Sequence, residues 1–152
     1  MGLSEHQVEG VFMAGIVHDL GKIYVPAEIL SKPSRLNDIE FSLIRTHSQV
    51  GYDLLKKIDF PWPIAQIVHQ HHERLNGSGY PQGLSSEDIL VEAKIICVAD
   101  VVEAMASHRP YRPARGVDMA LEHILQESGT LYDSAAVSIC LRLFSEKGFQ
   151  FD

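Results

Sequence analysis

Apolar residues recur along most of the chain at intervals of three and four, a spacing that predicts amphipathic helices. The alternation of apolar and polar residues that is typical of strands is nearly absent. We therefore predict an all-α fold, a bundle of about six helices. Ser4 and Gln7 fit a capping box at the start of the first helix, which we expect to run to about Leu20. Further helices are predicted at 38–55, 63–72, 88–107, 117–127 and 134–146.

Glycines and prolines mark the predicted breaks between these helices. Residues 75–84 contain three glycines and one proline, which predicts a loop. Residues 26–33 are predicted to form a loop or a short helical turn. The helix at 88–107 carries five consecutive apolar residues, 95–99, so we expect it to be central and buried on all sides. Asp100 follows that run directly, and a buried carboxylate needs a partner such as a metal or a basic side chain.

Composition places the chain among ordinary soluble globular domains. Its 152 residues are 45% hydrophobic and 22% charged, which suits one domain over residues 1–152. The net charge of −7 argues against electrostatic binding of DNA. Cys97 and Cys140 lie apart in apolar stretches, as expected for reduced thiols. We find no membrane segment and no signal peptide, so we expect a cytoplasmic protein.

The histidine content indicates metal chemistry, because eight histidines stand against 13 lysines and arginines. Two adjacent pairs and two single residues attract attention, since neutral imidazole and carboxylate both coordinate divalent cations. Each of them alone is equally consistent with a solvated or internally hydrogen-bonded side chain. Together they offer enough ligands for a two-metal site, which activates water and clamps a phosphoryl group. The candidates are His18, Asp19, His47, His71, His72 and Asp100.

The order and spacing of these motifs resemble the HD-GYP family, a branch of the HD superfamily of metal-dependent phosphohydrolases. The resemblance rests on HDLGKI at 18–23, His47, HHERLNGSGYP at 71–81 and VAD at 98–100. It extends from about residue 2 to about residue 133, and the string SHRPYRP at 107–113 also fits. The family implies an HD-domain-like helical bundle with a metal site on its inner face.

The resemblance also implies a function in bacterial signal transduction. The expected enzyme is a phosphodiesterase that hydrolyses cyclic di-GMP to pGpG, GMP or both by metal-activated water. It would hold two or three divalent ions, with iron and manganese favoured. The six candidates named above would be the metal ligands, with Asp19 bridging the ions. Lys22 would contact the scissile phosphate and assist the leaving group, so that Asp19 and Lys22 form the catalytic pair.

Further residues receive substrate-binding roles from the same resemblance. Arg109 and Arg112 would bind phosphates, since arginine suits bidentate contacts. Gly79, Tyr80 and Pro81 would shape the lip of the pocket and contact diguanylate cyclase (GGDEF) domains.

The chain departs from the family pattern at its beginning. Family members carry another metal-ligating histidine on a helix before the HD pair, and few residues precede His18 here. We therefore expect the chain to start within the family domain, after its first helix or helices. The face of the first helix around Phe12 and Ile16 would then lack a cover, which favours a homodimer. Two alternatives remain open: an HD-type phosphohydrolase for another nucleotide or cyclic dinucleotide, and a non-catalytic signalling module that binds a ligand or partner.

Overall fold

The computed structural model describes residues 1–107 and 116–151. Helices dominate this part of the chain, and its only β-type pairings are two isolated bridges, so the predicted all-α class is confirmed. Short 3₁₀ helices cover Leu20–Tyr24 and Ser86–Asp88. The α-helices are α1 (Glu5–Val17), α2 (Ala27–Leu30), α3 (Asp38–Arg45), α4 (His47–Leu55), α5 (Ile64–Gln70), α6 (Val91–Ala106), α7 (Val117–Gln126) and α8 (Ser134–Lys147).

Helix α1 begins as the sequence predicts. The Ser4 hydroxyl accepts a hydrogen bond from the Gln7 backbone at 3.2 Å, and the Gln7 side chain accepts one from the Ser4 backbone at 3.2 Å. The helix ends at Val17, earlier than predicted, and the chain enters the 3₁₀ helix Leu20–Tyr24. The HD pair therefore lies in the tight turn between two helices and not inside a continuous one.

The single long helix predicted at 38–55 is wrong, because α3 and α4 are separate helices that meet at Thr46. The Thr46 hydroxyl donates to the Leu43 carbonyl at 2.7 Å, and its backbone N–H bonds the same carbonyl at 3.2 Å. Such local bonds compete with the regular helical ladder. The break places His47 at the first position of α4, where it is buried, and not in the middle of a helix.

Two hydrophobic clusters form the core, and α6 contributes to both. Its first half packs with α1, α4 and α5, and its second half packs with α7 and α8. The prediction that α6 is buried on all sides is wrong at Ala99, which is exposed. Ala99 lies in an apolar groove between α1 and α6 that also presents Phe12 and Ile16, which are 69% and 64% exposed.

The last two helices match the sequence pattern closely. The Asp133 carboxylate caps α8 by accepting from the backbone N–H groups of Ala135 and Ala136 at 3.0 and 2.9 Å. Among the described helices, none combines the length and hydropathy that a membrane crossing requires.

Candidate metal centre

A glycine brings the HD pair against α4. A Cβ atom on Gly21 would lie 1.9 Å from the carbonyl oxygen of His47, so no other residue fits at this position without a backbone shift. The 3₁₀ helix therefore packs directly on the start of α4. As a result, Asp19 Oδ1 lies 3.5 Å from His47 Nε2, although the two residues belong to different helical segments.

Three histidines from α4 and the end of α5 meet in the interior. The ligating atoms of His47, His71 and His72 all lie within 4.8 Å of one another. His47 Nε2 is 3.4 Å from His71 Nε2 and 3.2 Å from His72 Nε2. His47 and His71 are buried, and His72 is half-buried. Such a group of nitrogen atoms is a candidate metal site.

Backbone carbonyls fix the ring orientation of three histidines in the site. In each case Nδ1 lies within hydrogen-bond distance of the carbonyl oxygen three residues earlier. The pairs are His18 with Gly15 at 2.7 Å, His47 with Ile44 at 2.7 Å, and His71 with Val68 at 2.6 Å. A carbonyl only accepts, so Nδ1 carries the hydrogen. Nε2 is then left to coordinate, which is the arrangement that metal-ligating histidines adopt.

Burial keeps the interior imidazoles neutral. It lowers the pKa of His47 below the usual range, lowers the pKa of His71 to about 3, and lowers that of His72 still further. In this tautomer the Nε2 atoms of His47 and His71 face each other at 3.4 Å with no hydrogen between them. Lone pairs held so close repel unless a cation lies near them, so this donor set fits a divalent metal ion.

Two carboxylates complete the ring of polar atoms. Asp19 Oδ2 lies 3.6 Å from His18 Nε2, and Asp100 approaches His18 Nε2 and His72 Nδ1 at 3.9 Å each. These separations exceed ordinary hydrogen-bond lengths, as expected for groups that share a cation instead of a proton. The structure therefore brings together all six residues that the sequence nominates as ligands; their role as ligands stays a prediction.

Lys22 holds the Asp19 carboxylate in its ionised form. Its Nζ donates to Asp19 Oδ2 at 2.5 Å. Burial opposes ionisation of Asp19, but the hydrogen bond and charge of Lys22, with the nearby His18 and His47, outweigh it and lower the pKa of Asp19. Lys22 also lines the adjoining cleft, so the predicted contact with a phosphate is sterically open and stays a prediction.

The cleft beside this site has a volume of about 510 Å³. Its floor contains His47, His72 and Asp100. One side, the α3 wall, is formed by Leu36, Phe41, Ile44, Arg45 and Tyr80. The other side, the α7 wall, is formed by Arg74, His123, Leu131 and Tyr132. This space suits a small organic ligand, since such pockets usually measure about 300–1,000 Å³.

The three residues of the predicted pocket lip have different positions. Tyr80 lines the cleft and stacks on His72, with ring centroids 4.6 Å apart. Gly79 also lines it, and a Cβ there would lie 2.4 Å from Glu73 Cα, so close backbone packing requires glycine. Pro81 is exposed and lines a shallower depression next to the cleft. Arg109 and Arg112 lie outside the described residues.

Sequence reasoning assigned no role to Glu73, which organises the loop that follows it. This carboxylate is 2% exposed and accepts hydrogen bonds from three backbone N–H groups. The donors are Gln82 at 2.7 Å, Gly83 at 3.2 Å and Leu84 at 3.0 Å. An acidic residue directly before a glycine-rich loop was the available signal, because such loops carry N–H groups that need acceptors. The residues of the α7 wall also carry no sequence signal that points to the cleft.

Comparison with known proteins agrees with the resemblance to HD-type phosphohydrolases. Residues 1–136 match the family model described as HD domain. The chain is 42% identical over 144 residues to the cyclic di-GMP phosphodiesterase response regulator RpfG of Xanthomonas campestris, covering 93% of this chain and 38% of that protein. It is 35% identical over 127 residues to the 3'3'-cGAMP-specific phosphodiesterase 1 of Vibrio cholerae, covering 84% of this chain and 30% of that protein. The chain thus spans less than half the length of these curated relatives.

A solved structure shows the same fold. The cyclic GMP-AMP specific phosphodiesterase V-cGAP3 of Vibrio cholerae superposes with a TM-score of 0.70 at 20% sequence identity, covering 95% of this chain and 40% of that one. At this identity the likeness concerns the fold alone.

Proposed function

This chain belongs to the HD domain family, and on that premise we propose that it is a metal-dependent phosphodiesterase that hydrolyses cyclic di-GMP to pGpG, GMP or both. One observation carries the proposal: four imidazoles and two carboxylates converge within short distances of one another. Three of these residues, His47, His72 and Asp100, line a cleft large enough for a nucleotide. The similarity to relatives named for cyclic di-GMP and 3'3'-cGAMP hydrolysis supports the substrate class.

The donor set fits two divalent ions, or three, with iron and manganese as the favoured metals. When bound, such ions activate water and neutralise charge on a phosphate. His18, His47, His71, His72 and the two carboxylates would hold them. Asp19 is the proposed bridging ligand, because its two oxygens face His18 and His47 separately. Its low pKa keeps both oxygens available for coordination near neutral pH.

Lys22 is the proposed phosphate-contacting cation. In the structure its Nζ bonds to Asp19 at the edge of the cleft. A phosphate oxygen of the substrate would share this ammonium group, which has three N–H donors. Lys22 then stabilises the charge that develops on the phosphoryl oxygens and donates a proton to the leaving oxygen. Arg109 and Arg112 remain proposed phosphate ligands on the strength of the sequence resemblance.

We also propose a protein partner, an oligomeric state and a cellular compartment. Pro81 is exposed beside the cleft, as contact with a GGDEF domain would require. The exposed Phe12 and Ile16 of α1 offer a surface for self-association into a homodimer. The cytoplasm is the compartment in which cyclic di-GMP signalling takes place, and we place the protein there.

The second candidate substrate is 3'3'-cGAMP, which the 35% identity to the Vibrio cholerae enzyme favours. The test is to purify the chain anaerobically, count transition-metal ions per chain by elemental analysis, and follow each dinucleotide by chromatography. We expect about two ions per chain, and faster loss of cyclic di-GMP than of 3'3'-cGAMP. Faster loss of 3'3'-cGAMP would make that dinucleotide, and not cyclic di-GMP, the proposed substrate.

A matched pair of variants tests the metal centre itself. Asp100→Asn removes a charge that faces His18 and His72, whereas Asp118→Asn alters an exposed position on α7. We expect the first to lose metal and at least roughly 100-fold of the rate, and the second to match the parent chain. Stoichiometric metal with no turnover of either dinucleotide would contradict the enzyme proposal; retained dinucleotide binding would then identify a signalling module.

A further inference from the structure

The α7 wall of the cleft contains a polar group that the proposed mechanism does not use. We propose that His123 of this wall contacts a purine base of the bound nucleotide, and that Tyr132 and Arg74 are positioning residues that hold it in place. The inference rests on the proposed function, because it assumes that the cleft accommodates a nucleotide. It adds a base-binding subsite to the metal centre.

A hydrogen bond from Tyr132 orients the His123 ring. The Tyr132 hydroxyl oxygen lies 3.0 Å from His123 Nε2, and the two rings meet edge to face with centroids 5.7 Å apart. Tyr132 is 3% exposed, and burial raises its pKa, so the phenol retains its hydrogen. Imidazole nitrogen accepts more strongly than phenol oxygen, so Tyr132 is the donor and Nε2 is the acceptor.

This orientation gives the His123 ring a second polar edge. Because Nε2 accepts, the neutral ring carries its hydrogen on Nδ1. Within residues 1–107 and 116–151, no group accepts a hydrogen bond from this Nδ1. The side chain is half-buried and lines the cleft, so the N–H is available to an acceptor on a bound molecule. Guanine presents two such acceptors, O6 and N7, and the imidazole face can stack on a base.

Arg74 contacts the Tyr132 ring and helps to hold it in place. Its Nη1 donates to the Glu73 carbonyl at 3.0 Å and lies 2.8 Å from Cys97 Sγ. The guanidinium carbon lies 5.3 Å from the centre of the Tyr132 ring, within cation–π range. Arg74 is therefore held by the Glu73 carbonyl and by Cys97 of α6 while its guanidinium contacts the Tyr132 ring that orients His123.

An apolar strip of α6 joins the two ends of the cleft. Val101, Ala104 and Met105 line the cleft between Asp100 at its floor and His123 on its wall. Asp100 and Ala104 are one helical turn apart, about 6 Å along the axis. A nucleotide with its phosphate at the metal centre would thus lay its base along this strip and reach His123. The apolar strip would pack against the face of the base, and the Nδ1–H group of His123 would donate a hydrogen bond to the edge of the base.

The test compares GMP with ribose 5-phosphate, in which a hydroxyl group replaces the base at C1. GMP and ribose 5-phosphate are titrated into the chain as purified, with dissociation constants from calorimetry or NMR. We expect GMP to bind more tightly, and His123→Ala to weaken GMP by roughly three- to tenfold while leaving ribose 5-phosphate unchanged. His123→Gln should restore much of the difference, because the amide both accepts and donates. Gln126→Ala, at an exposed position on the same helix, is the control.

Each alternative outcome is distinguishable. Equal weakening of both ligands by His123→Ala would overturn the subsite, since a general structural effect does not discriminate between them. Equal affinity of the parent chain for the two ligands, or no effect of His123→Ala, would overturn it too. Failure of the proposed function has a different signature: cyclic dinucleotides persist in the turnover assay whatever the GMP titration gives.

Discussion

The floor and the α7 wall of the cleft are held by different kinds of contact. His47 of the floor, and His71 whose Nε2 lies 3.4 Å from it, are each bonded to a backbone carbonyl three residues earlier in their own segments. On the α7 wall, Tyr132 and His123 depend on side-chain contacts between separate elements. Backbone anchoring gives a preorganised set of candidate ligands that cannot shift without moving a helix. Side-chain anchoring leaves a wall that can change with little damage to the fold, and under the proposed function this is where base preference can vary.

The largest effect is expected where two backbone segments touch. Gly21→Ala places a methyl group 1.9 Å from the His47 carbonyl oxygen, so the 3₁₀ helix must move away from α4. We expect a loss of roughly 3 kcal/mol in the free energy of unfolding, measured in urea, together with weaker metal binding.

Gly15→Ala is the matched control for that change. A Cβ at Gly15, inside α1, meets no atom within 4 Å, so we expect a gain of up to about 1 kcal/mol from helix propensity. Equal stability of the two variants would show that the 3₁₀ helix can move away from α4 without loss of stability. The floor would then be no more rigid than the α7 wall.

The next effect concerns the loop at the edge of the floor. Glu73→Gln leaves one carbonyl oxygen where two carboxylate oxygens accept from Gln82, Gly83 and Leu84. The N–H group that faces the new amide nitrogen then lacks an acceptor, and the other two lose a charged one, so we expect a loss of roughly 2–3 kcal/mol in urea unfolding. Glu87→Gln alters an exposed carboxylate of the 3₁₀ helix Ser86–Asp88 and should cost less than about 0.5 kcal/mol. Similar losses in the two variants would contradict an anchoring role for Glu73.

The sequence predicts the candidate ligands at the cleft floor but not the residues of the α7 wall, and the reason is physical. Few residue types coordinate metals, and their motifs lie next to helix ends, so the sequence alone nominates the six candidates. The family resemblance is confirmed by the match over residues 1–136. Local signals also fixed the capping box at Ser4, because its partner is three residues away. The pairing of Arg74 with Tyr132 joins distant parts of the chain, and periodicity carries no information about it. The Thr46 break was missed because a hydroxyl can satisfy or interrupt a helix equally well.

Protonation of His71, which lies against His47 of the floor, provides a further test. The pKa of His71 is about 3 in the folded chain and about 6.5 in an unfolded chain. The unfolded state therefore binds more protons below pH 6.5, and stability falls as the pH decreases through that value. We expect metal-free protein to lose roughly 2 kcal/mol of unfolding free energy from His71 between pH 7 and pH 5. His71→Gln should flatten this dependence, and an unchanged slope would show that His71 titrates normally in the folded chain.

The smallest effect is expected on the α7 wall, where Tyr132→Phe removes only the hydroxyl that bonds His123. The ring and its contact with Arg74 remain, so we expect a stability loss of about 1 kcal/mol or less in urea. Tyr24→Phe, which alters an exposed ring, provides the baseline. Released from Tyr132, the His123 ring samples other orientations, and the preference for GMP over ribose 5-phosphate should fall roughly two- to fivefold. A loss of several kcal/mol, comparable to that of Gly21→Ala, would mean that the wall is as rigid as the floor and that specificity cannot change there independently of folding.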